Sequence, residues 1–418
     1  MKTTKNIVSK ICSDAKKTCL DLAGASTDQK NNFLYNLAQL VKKNKKTLFS
    51  ANKKDISLAK KNGHNSAFLD RLEINEKTIL SMSDGLTQIA QLPDPVGEFI
   101  NIQKQSSGIS VGMMRVPIGV VGIIYESRPN VTIDASCLSL KSNNSLILRG
   151  GSDSFHTSFE LVKIVTDSFN KAGLPKNIIQ MIPTTKREAV DHLLSMNNCV
   201  NVIIPRGGKS LIKKINEKSK IPVIKHLEGL CHIFVDKEAN IELAKKVIFN
   251  SKLRRPEICG ATETLLIDSE IKEKAYQLLL PLHEAGCEIK GDEFIQTLDK
   301  NFNSATEEDW SIEYLDKIIS VKIVNGVKGA IEHINKYSSN HTESIITENE
   351  QKFIEFYNNI DSAIILKNAS TQYADGGEFG FGAEIGISTD KLHVRGPVGA
   401  KHLTTFKYVV HGSGQIRP

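Results

Sequence analysis

The 418-residue sequence predicts an α/β protein with two doubly wound domains and a small β-strand arm. Apolar runs of strand length alternate with helical stretches from Val120 to Ile224, and the alternation resumes after Lys225. Residues 120–124 are apolar throughout, as in a strand that a parallel sheet buries on both faces. The length of the chain also favours two or three domains over one.

Residues 1–92, which precede the first sheet, are predicted to form helices. Apolar residues recur at helical spacing between Phe33 and Val41, and Thr27 is the predicted N-cap of that helix. These helices would cover part of the first domain.

A β-hairpin is predicted between these helices and the first sheet. Apolar and polar residues alternate over residues 99–105, residues 109–118 form the second strand, and Gly108 supplies the turn. The hairpin interrupts a helical layer, as an arm that reaches to a partner subunit would. The last predicted strand covers residues 403–410.

The strands of both domains are short and are separated by helices. In the first domain they are predicted at residues 120–124, 146–148, 178–182, 200–204 and 221–224, with helices at 131–142 and 152–171. In the second domain they are predicted at residues 232–235, 264–267, 319–323, 344–347 and 363–366, with helices at 270–286 and 327–337.

The composition is that of an ordinary globular protein, with 40% hydrophobic and 24% charged residues. Apolar runs fall short of the roughly 18 residues that suggest a membrane span. The N-terminus has no apolar stretch of the signal-peptide kind, so we expect a cytoplasmic protein. The seven cysteines form no C-x-x-C pair, and no metal site is predicted.

The net charge of +7 comes from thinly spread lysines. Aromatic residues make up 6% of the chain and do not alternate with the lysine runs. Nucleic-acid binding is therefore not predicted. A positive field would favour an anionic substrate or cofactor.

Cys259 is the strongest candidate for a catalytic nucleophile. A helical run at residues 242–250 precedes it and a strand at 264–267 follows, so the thiol is predicted to lie in the connecting loop. Arg254 and Arg255, just before it, would favour the thiolate. A small residue directly after it would let a carbonyl group approach the backbone N–H groups. The alternative is a small buried apolar side chain.

Two predicted strands end in glycine-rich turns that contain an arginine, a pattern typical of phosphate binding. They are Leu148-Arg-Gly-Gly151 and Pro205-Arg-Gly-Gly-Lys209, the second of which precedes a helix. Glycine lets backbone come close to a phosphate group, and a helix N-terminus favours an anion. Neither turn matches the Rossmann or Walker A pattern, and a plain tight turn is the alternative.

Several motifs in a fixed order resemble the γ-glutamyl phosphate reductase family along essentially the whole chain. They are Val116-Pro-Ile-Gly-Val120, Ile124-Tyr-Glu-Ser-Arg-Pro-Asn130, the two glycine turns, Cys231-His-Ile-Phe-Val-Asp236, Arg255-Pro-Glu-Ile-Cys259 and the stretch 381–397. The family has the aldehyde dehydrogenase fold. The resemblance therefore implies an NADP-binding domain (residues 1–104 and 119–226), a catalytic domain with Cys259 (227–390) and an oligomerisation arm (105–118 and 391–418).

The resemblance also implies a reaction, the NADPH-dependent reduction of L-glutamyl 5-phosphate to L-glutamate 5-semialdehyde and phosphate in proline biosynthesis. Cys259 would attack the acyl phosphate, and hydride would reduce the resulting thioester. The side-chain amide of Asn130 and the N–H of Cys259 would stabilise the charge on the acyl oxygen. The alternative interpretation is that Asn130 has no catalytic role and is only a turn residue.

The binding residues follow from the same resemblance. Those for the cofactor are Arg149, Gly150, Arg206, Gly207, Gly208 and Glu313. A cation at Arg149 would favour NADP over NAD. The substrate anions are assigned to Arg128, His393 and Arg395, and the substrate ammonium to Glu126 or Glu343. The alternative interpretation of each charged substrate residue is that it forms a structural ion pair. The alternative for Glu313 is an ordinary glutamate on the protein surface.

A hydrolytic NAD(P)-dependent aldehyde dehydrogenase is the competing enzyme. Such enzymes carry Glu-Leu-Gly-Gly-Lys, where this chain has Glu228-Gly-Leu-Cys-His232. Water would destroy a thioester meant for reduction, so Glu228 is not assigned as a base. A scaffold without activity is a further alternative, against which Cys259 argues. A homo-oligomer is predicted, and contact with glutamate 5-kinase is left open.

Overall fold

The computed structural model describes residues 3–225 and 228–417, and the chain divides into two units. The first unit is Met1–Lys225, Gly380–Gly386 and Pro397–Pro418, and the second is His226–Phe379 and Ile387–Gly396. The domain boundary predicted between residues 226 and 227 falls on two residues outside the described ones. Within the described ranges, no helix is long and apolar enough to cross a membrane.

Helices open the first unit, as predicted. They are α1 (Thr4–Leu22), α2 (Thr27–Lys43), α3 (Lys45–Lys61), α4 (Ser66–Leu72) and α5 (Glu76–Gln91). The N-cap of α2 is Ser26 and not Thr27. The Ser26 hydroxyl accepts a hydrogen bond from the backbone N–H of Gln29, whose side-chain oxygen accepts one from the N–H of Ser26. This reciprocal pair satisfies two donors that a helix start otherwise leaves open.

The predicted hairpin forms β1 (Phe99–Lys104) and β2 (Ser110–Pro117), which pair antiparallel. The central sheet of the first unit follows. Its strands are β3 (Val120–Tyr125), β4 (Ser145–Gly150), β5 (Ile179–Met181) and β6 (Val202–Arg206), in the parallel order β5-β4-β3-β6. In place of the strand predicted at residues 221–224, Val223 makes an isolated bridge to Ile203.

Helices cover both faces of this sheet, which makes it doubly wound. They are α6 (Val131–Lys141), α7 (Phe155–Ala172), α8 (Glu188–Leu194) and α9 (Lys209–Lys218). Val120, Ile124 and Ile147 pack with residues of α1, α8 and α9. Helices α6 and α7 contact β4 and β5. All six residues of β3 are buried, as expected for a strand covered on both sides.

The second unit contains a larger parallel sheet. Its strands are β7 (Cys231–Val235), β8 (Thr262–Asp268), β9 (Glu288–Gly291), β10 (Asn303–Ser304), β11 (Ile318–Val324), β12 (Thr342–Ile346) and β13 (Ile364–Lys367), in the order β10-β9-β11-β8-β7-β12-β13. Its helices are α10 (Ile241–Leu253), α11 (Ala275–Glu284), α12 (Glu293–Gln296), α13 (Gly326–Tyr337) and α14 (Glu350–Asn359). Strands β9 and β10 and helices α12 and α14 were not predicted from the sequence.

Alternate residues of the second sheet enter two separate cores. Ile233 and Leu265 pack with α10 and α11, and their neighbours Phe234 and Leu266 pack with α13 and α14. This alternation confirms the second doubly wound sheet, because each strand is apolar on both faces. The helix predicted at residues 270–286 is divided into a 3₁₀-helix, Ser269–Lys274, and α11.

The chain ends with β14 (Ile387–Ser388), β15 (Gly396–Pro397) and β16 (Thr404–His411). Strand β16 pairs antiparallel with β2 along its whole length, so β1, β2 and β16 form one three-stranded sheet. The predicted boundary at residue 105 would divide the paired strands β1 and β2. The arm therefore includes Phe99–Lys104, and residues 391–396 group with the second unit.

Candidate active site

Cys259 lies in the turn between α10 and β8, as the sequence predicted. The helix ends at Leu253 and the strand begins at Thr262. A hydrogen bond of 2.9 Å from the N–H of Ala261 to the carbonyl oxygen of Ile258 closes the turn. Cys259 forms no disulfide and is half-buried, so part of the residue is exposed to solvent.

A neighbouring segment of the second unit holds this turn in place. The Arg254 guanidinium donates to Oε1 of Gln372 at 3.1 Å. The amide of Gln372 donates to the carbonyl oxygens of Ser251 at 2.9 Å and Arg255 at 3.3 Å. Arg254 therefore orders the backbone before Cys259, a structural role that accompanies its charge.

The backbone of Gly229 lies directly against Cys259. A Cβ atom on Gly229 would be 2.2 Å from the carbonyl oxygen of Cys259 and 2.6 Å from its Cα. The N–H of Gly229 donates to Oε1 of Glu313 at 2.9 Å, and the thiol of Cys231 donates to the carbonyl oxygen of Cys259 at 3.1 Å. Residues 229–231 thus form the support of the Cys259 turn, a role that the sequence did not reveal for Gly229.

We expect Gly229→Ala to lower turnover by about 10- to 100-fold, because a displaced nucleophile loses its alignment with the reacting carbon. The added methyl group must push the Cys259 backbone away, and backbone does not yield as a flexible side chain does. Steady-state kinetics test this expectation. Gly85→Ala, where a Cβ meets nothing within 4 Å, is the matched control. Wild-type turnover in Gly229→Ala would contradict the close contact.

The two predicted phosphate turns meet at one edge of the first sheet. Tyr125, the last residue of β3, is in register with Gly150 on one side and Arg206 on the other. The loops after these three parallel strands therefore lie side by side. A Cβ on Gly208 would meet nothing within 4 Å, so the N-terminus of α9 is open. This edge has the glycine-lined backbone and helix N-terminus that fit a cofactor diphosphate.

Glu126 belongs to this glycine-lined edge. Its N–H donates to the carbonyl oxygen of Arg206 at 2.9 Å, and its Oε2 would be 2.7 Å from a Cβ on Gly207. Burial raises the pKa of Glu126, while a hydrogen bond from the Gly208 backbone and the charge of Arg149 lower it. The structure thus groups Glu126 with the predicted cofactor residues, whereas the sequence assigned it to the substrate ammonium.

Arg149 is buried, with 6% of its surface exposed. Its guanidinium donates to the carbonyl oxygens of Gly150 at 2.6 Å, Thr185 at 2.9 Å and Lys186 at 3.3 Å. Burial lowers its pKa, although Glu126 raises it. Arg149 therefore supports the loop 184–187. The cations that this loop exposes are Lys186 and Arg187, neither of which was predicted.

Asn130 ends the loop between β3 and α6. Its side chain makes no capping bond to the helix, and instead its Nδ2 donates to Oδ2 of Asp134 at 3.1 Å. The preceding loop is tight, since Ser127 has a φ of 54°, which non-glycine residues rarely adopt. Asn130 thus lies in the turn that leads into α6, with its amide bonded to that helix, and its catalytic role stays a prediction.

Glu343 is not available to a substrate, which corrects the sequence assignment. It is fully buried in β12. Its Oε2 accepts from the N–H of His232 at 3.0 Å and contacts Nδ1 of His232 at 2.9 Å. Its Oε1 accepts from the hydroxyls of Ser338 and Ser362. Glu343 therefore links three segments of the second unit.

The other predicted charged residues lie on loops. Arg395 is ion-paired with Asp361 and also donates to its backbone carbonyl, so its structural alternative is the one observed. Lys391 and Arg395 lower the pKa of Asp361 to about 2. His393 is exposed in the same segment, and Arg128 is half-buried in the loop after β3. These two stay predictions for the substrate anions.

Known proteins are similar over nearly the whole chain. The aldehyde dehydrogenase family model matches residues 1–285. The γ-glutamyl phosphate reductase of Bartonella bacilliformis is 52% identical over 405 residues, which are 97% of this chain and 98% of that protein. The enzyme of the same name from Brucella suis is 47% identical over 418 residues, covering 100% of this chain and 99% of that protein.

A crystal structure of similar fold is that of γ-glutamyl phosphate reductase from Thermotoga maritima. It superimposes with a TM-score of 0.95 at 39% identity and covers 98% of this chain and 100% of that chain. Together with the Cys259 turn and the glycine-lined edge, these matches assign the family. The chain belongs to the γ-glutamyl phosphate reductases of the aldehyde dehydrogenase family.

Proposed function

We propose that the chain reduces L-glutamyl 5-phosphate with NADPH to L-glutamate 5-semialdehyde and phosphate, a step of proline biosynthesis. The observation that carries this proposal is the position of Cys259, a half-buried thiol in a turn backed by Gly229. Family membership supplies the substrate class. The segment that supports this turn does not have the Gly-Gly-Lys pattern of hydrolytic enzymes, since Glu228 is followed by Gly229-Leu230-Cys231.

Cys259 acts first as a nucleophile. Its thiolate attacks the acyl carbon, the bond to the phosphate oxygen breaks, and phosphate leaves with the electron pair of that bond. A thioester on Cys259 results. The nicotinamide cofactor, when bound, supplies hydride to this thioester. The amide of Asn130 and the N–H of Cys259 donate hydrogen bonds to the acyl oxygen in both steps, and collapse of the thiohemiacetal releases the aldehyde and restores the thiolate.

The cofactor is held by the glycine-lined edge of the first unit. Gly207 and Gly208 at the N-terminus of α9 would hold its diphosphate, since a Cβ at position 208 would find open space. The preference for NADPH is carried by Lys186 and Arg187, which the buried Arg149 positions through its bonds to the 184–187 loop. Glu313 also fixes Gly229 by accepting its N–H, and its predicted contact with the cofactor stays a prediction.

Arg187→Ala is expected to lower the preference for NADPH over NADH about tenfold, because it removes a charge-assisted bond to the 2′-phosphate. The ratio of kcat/KM for the two cofactors measures this preference. Arg71→Ala, which removes an arginine from α4, is the control for the change in net charge. An unchanged ratio in Arg187→Ala would exclude this residue as the 2′-phosphate contact.

The reverse reaction tests the function itself. Glutamate 5-semialdehyde and NADP are supplied, and NADPH formation is followed with and without phosphate. Turnover that requires phosphate is expected, because phosphate must take the acyl group from Cys259. Turnover without phosphate would mean that water resolves the thioester, and the hydrolytic enzyme would replace the proposed one.

The strand β16 is proposed to join two copies of the chain. Phe406, Tyr408 and Val410 alternate along it and are 49%, 65% and 55% exposed. Alternate residues of a strand share one face, so these side chains form an apolar strip on an edge strand. A second copy of the chain would cover the strip. Contact with glutamate 5-kinase stays a prediction.

The double variant Phe406→Glu/Tyr408→Glu is expected to convert the oligomer to a smaller species, because four buried charges would face each other across a two-fold contact. Light scattering after size-exclusion chromatography measures the mass. Lys407→Glu, a change of charge on the opposite face of the same strand, is the control. An unchanged mass in the double variant would place the subunit contact elsewhere.

A further inference from the structure

The Asn130 amide has a carboxylate partner one helical turn later. Nδ2 of Asn130 donates to Oδ2 of Asp134 at 3.1 Å. Asn130 makes no capping bond to α6, so this contact fixes its side chain within the described structure. The pair belongs to the first unit, and both residues lie at the start of α6.

The chemistry of the two groups decides which way the amide points. An ionised carboxylate only accepts hydrogen bonds, so the atom of Asn130 that faces Asp134 must be the nitrogen. One of the two amide protons is used in this bond, and the second stays available for the acyl oxygen. A protonated Asp134 also donates, and could then bind the oxygen of a flipped amide.

Asp134 is surrounded by groups that act in opposite directions on its charge. The pKa of Asp134 is raised to about 7. Burial is the largest cause and the charge of Glu384 adds to it, whereas the hydrogen bond from Asn130 and the charge of Arg206 act in the opposite direction. On its own helix, the thiol of Cys137 donates to the backbone carbonyl of Asp134 at 3.1 Å and leaves the carboxylate free of that bond. Asp134 therefore changes its protonation state close to neutral pH.

We propose that Asp134 is a positioning residue, whose carboxylate holds the Asn130 amide with its nitrogen presented to the acyl oxygen. The inference rests on the proposed function, in which Asn130 stabilises that oxygen. It predicts that kcat falls as pH falls below about 7, because protonation of Asp134 releases the amide from its one productive orientation. The inference adds a group that acts through Asn130 without touching the substrate.

A kinetic double-mutant cycle tests the proposal. Asn130→Ala is expected to lower kcat by about 10²–10³-fold, the effect of removing one oxyanion donor. Asp134→Leu is expected to lower kcat by about tenfold or more in the wild-type background and to have no further effect in Asn130→Ala, because its only path to the reaction is the amide. A purely structural residue would cost the same in both backgrounds.

The pH profile provides the second measurement and uses a milder variant. Asp134→Asn has the same shape and does not titrate, so the loss of kcat below about pH 7 is expected to disappear. This arm stands even if Asp134→Leu fails to fold. An acid limb that persists in Asp134→Asn, or an equal loss from Asp134→Leu in both backgrounds, would overturn the role of Asp134.

The outcomes separate this inference from the function on which it rests. Wild-type kcat in Asn130→Ala would remove Asn130 from the oxyanion site and Asp134 with it, while phosphate-dependent turnover would still support the reaction. Turnover without phosphate would overturn the reaction itself. A large loss in Asn130→Ala together with additive losses from Asp134→Leu would leave the reaction standing and reject only the positioning role.

Discussion

Cys259→Ser is expected to lower phosphate-dependent NADPH formation by about 10⁴-fold or more, the scale seen when covalent enzymes lose their nucleophile. The serine hydroxyl stays protonated near neutral pH, so it does not form the acyl-enzyme that the thiolate forms. The turn is held by Arg254 and Gln372 and not by the thiol. Folding should therefore be unaffected, which circular dichroism and the unfolding midpoint can establish.

The matched control for this substitution is Cys199→Ser. Cys199 is also free and half-buried, but it lies in the first unit and packs against a hydrophobic core. Its loss is expected to leave turnover unchanged. If Cys259→Ser kept the wild-type rate, another group would have to carry the acyl chain, and the covalent mechanism would be wrong.

The parallel sheets could be predicted because burial leaves a local record in the sequence. Residues 120–124 are apolar without interruption, and the structure buries the whole of β3. The turn of Cys259 was equally local, since a helical run and an apolar strand enclose it. Strand β10 could not be predicted in this way, because it has only two residues. The division of the helix predicted at residues 270–286 could not be predicted either, because it results from an internal kink.

The roles of charged residues depended on distant partners, which the sequence does not show. Arg149 is bound to carbonyl groups 36 and 37 positions away, and these contacts bury it. Glu343 is bound to His232, 111 positions away. From the sequence alone, an arginine or glutamate near a strand end is therefore interpreted as a ligand for an anion or an ammonium group, because its bonding partner in the fold is not known.

The contact between Asn130 and Asp134 could have been predicted from the sequence. The two residues are separated by four positions at a predicted helix start, the spacing at which side chains meet on a helix. Gly229 left a weaker signal, because a glycine in a loop has many uses. Its contact with Cys259 joins segments 30 positions apart and is visible only in the fold.

Lys252→Met is expected to reduce the free energy of unfolding by about 3–5 kcal/mol, because it strands a buried charge. Lys252, in the last turn of α10, pairs with Glu263 of β8 at 2.6 Å, and the two side chains are 0% and 2% exposed. The pair therefore joins the two elements that carry the Cys259 turn. Urea unfolding measures the loss. Lys237→Met, which breaks an exposed pair with Glu270, is the control and should leave the free energy of unfolding nearly unchanged.

The loss in Lys252→Met should grow with pH. Burial raises the pKa of Glu263 to about 7 even though Lys252 lowers it, so the folded state favours the neutral acid more than the unfolded state does. Stability from such a group is present at low pH and is lost as pH rises through the folded pKa. Removing Lys252 raises that pKa further, so the variant should lose more stability at pH 8 than at pH 5.

The double variant Lys252→Met/Glu263→Met should recover most of the loss, since it leaves no charge to bury. A loss that is independent of pH, or that persists in the double variant, would mean that packing of the lysine stem and not the stranded carboxylate supports the catalytic turn.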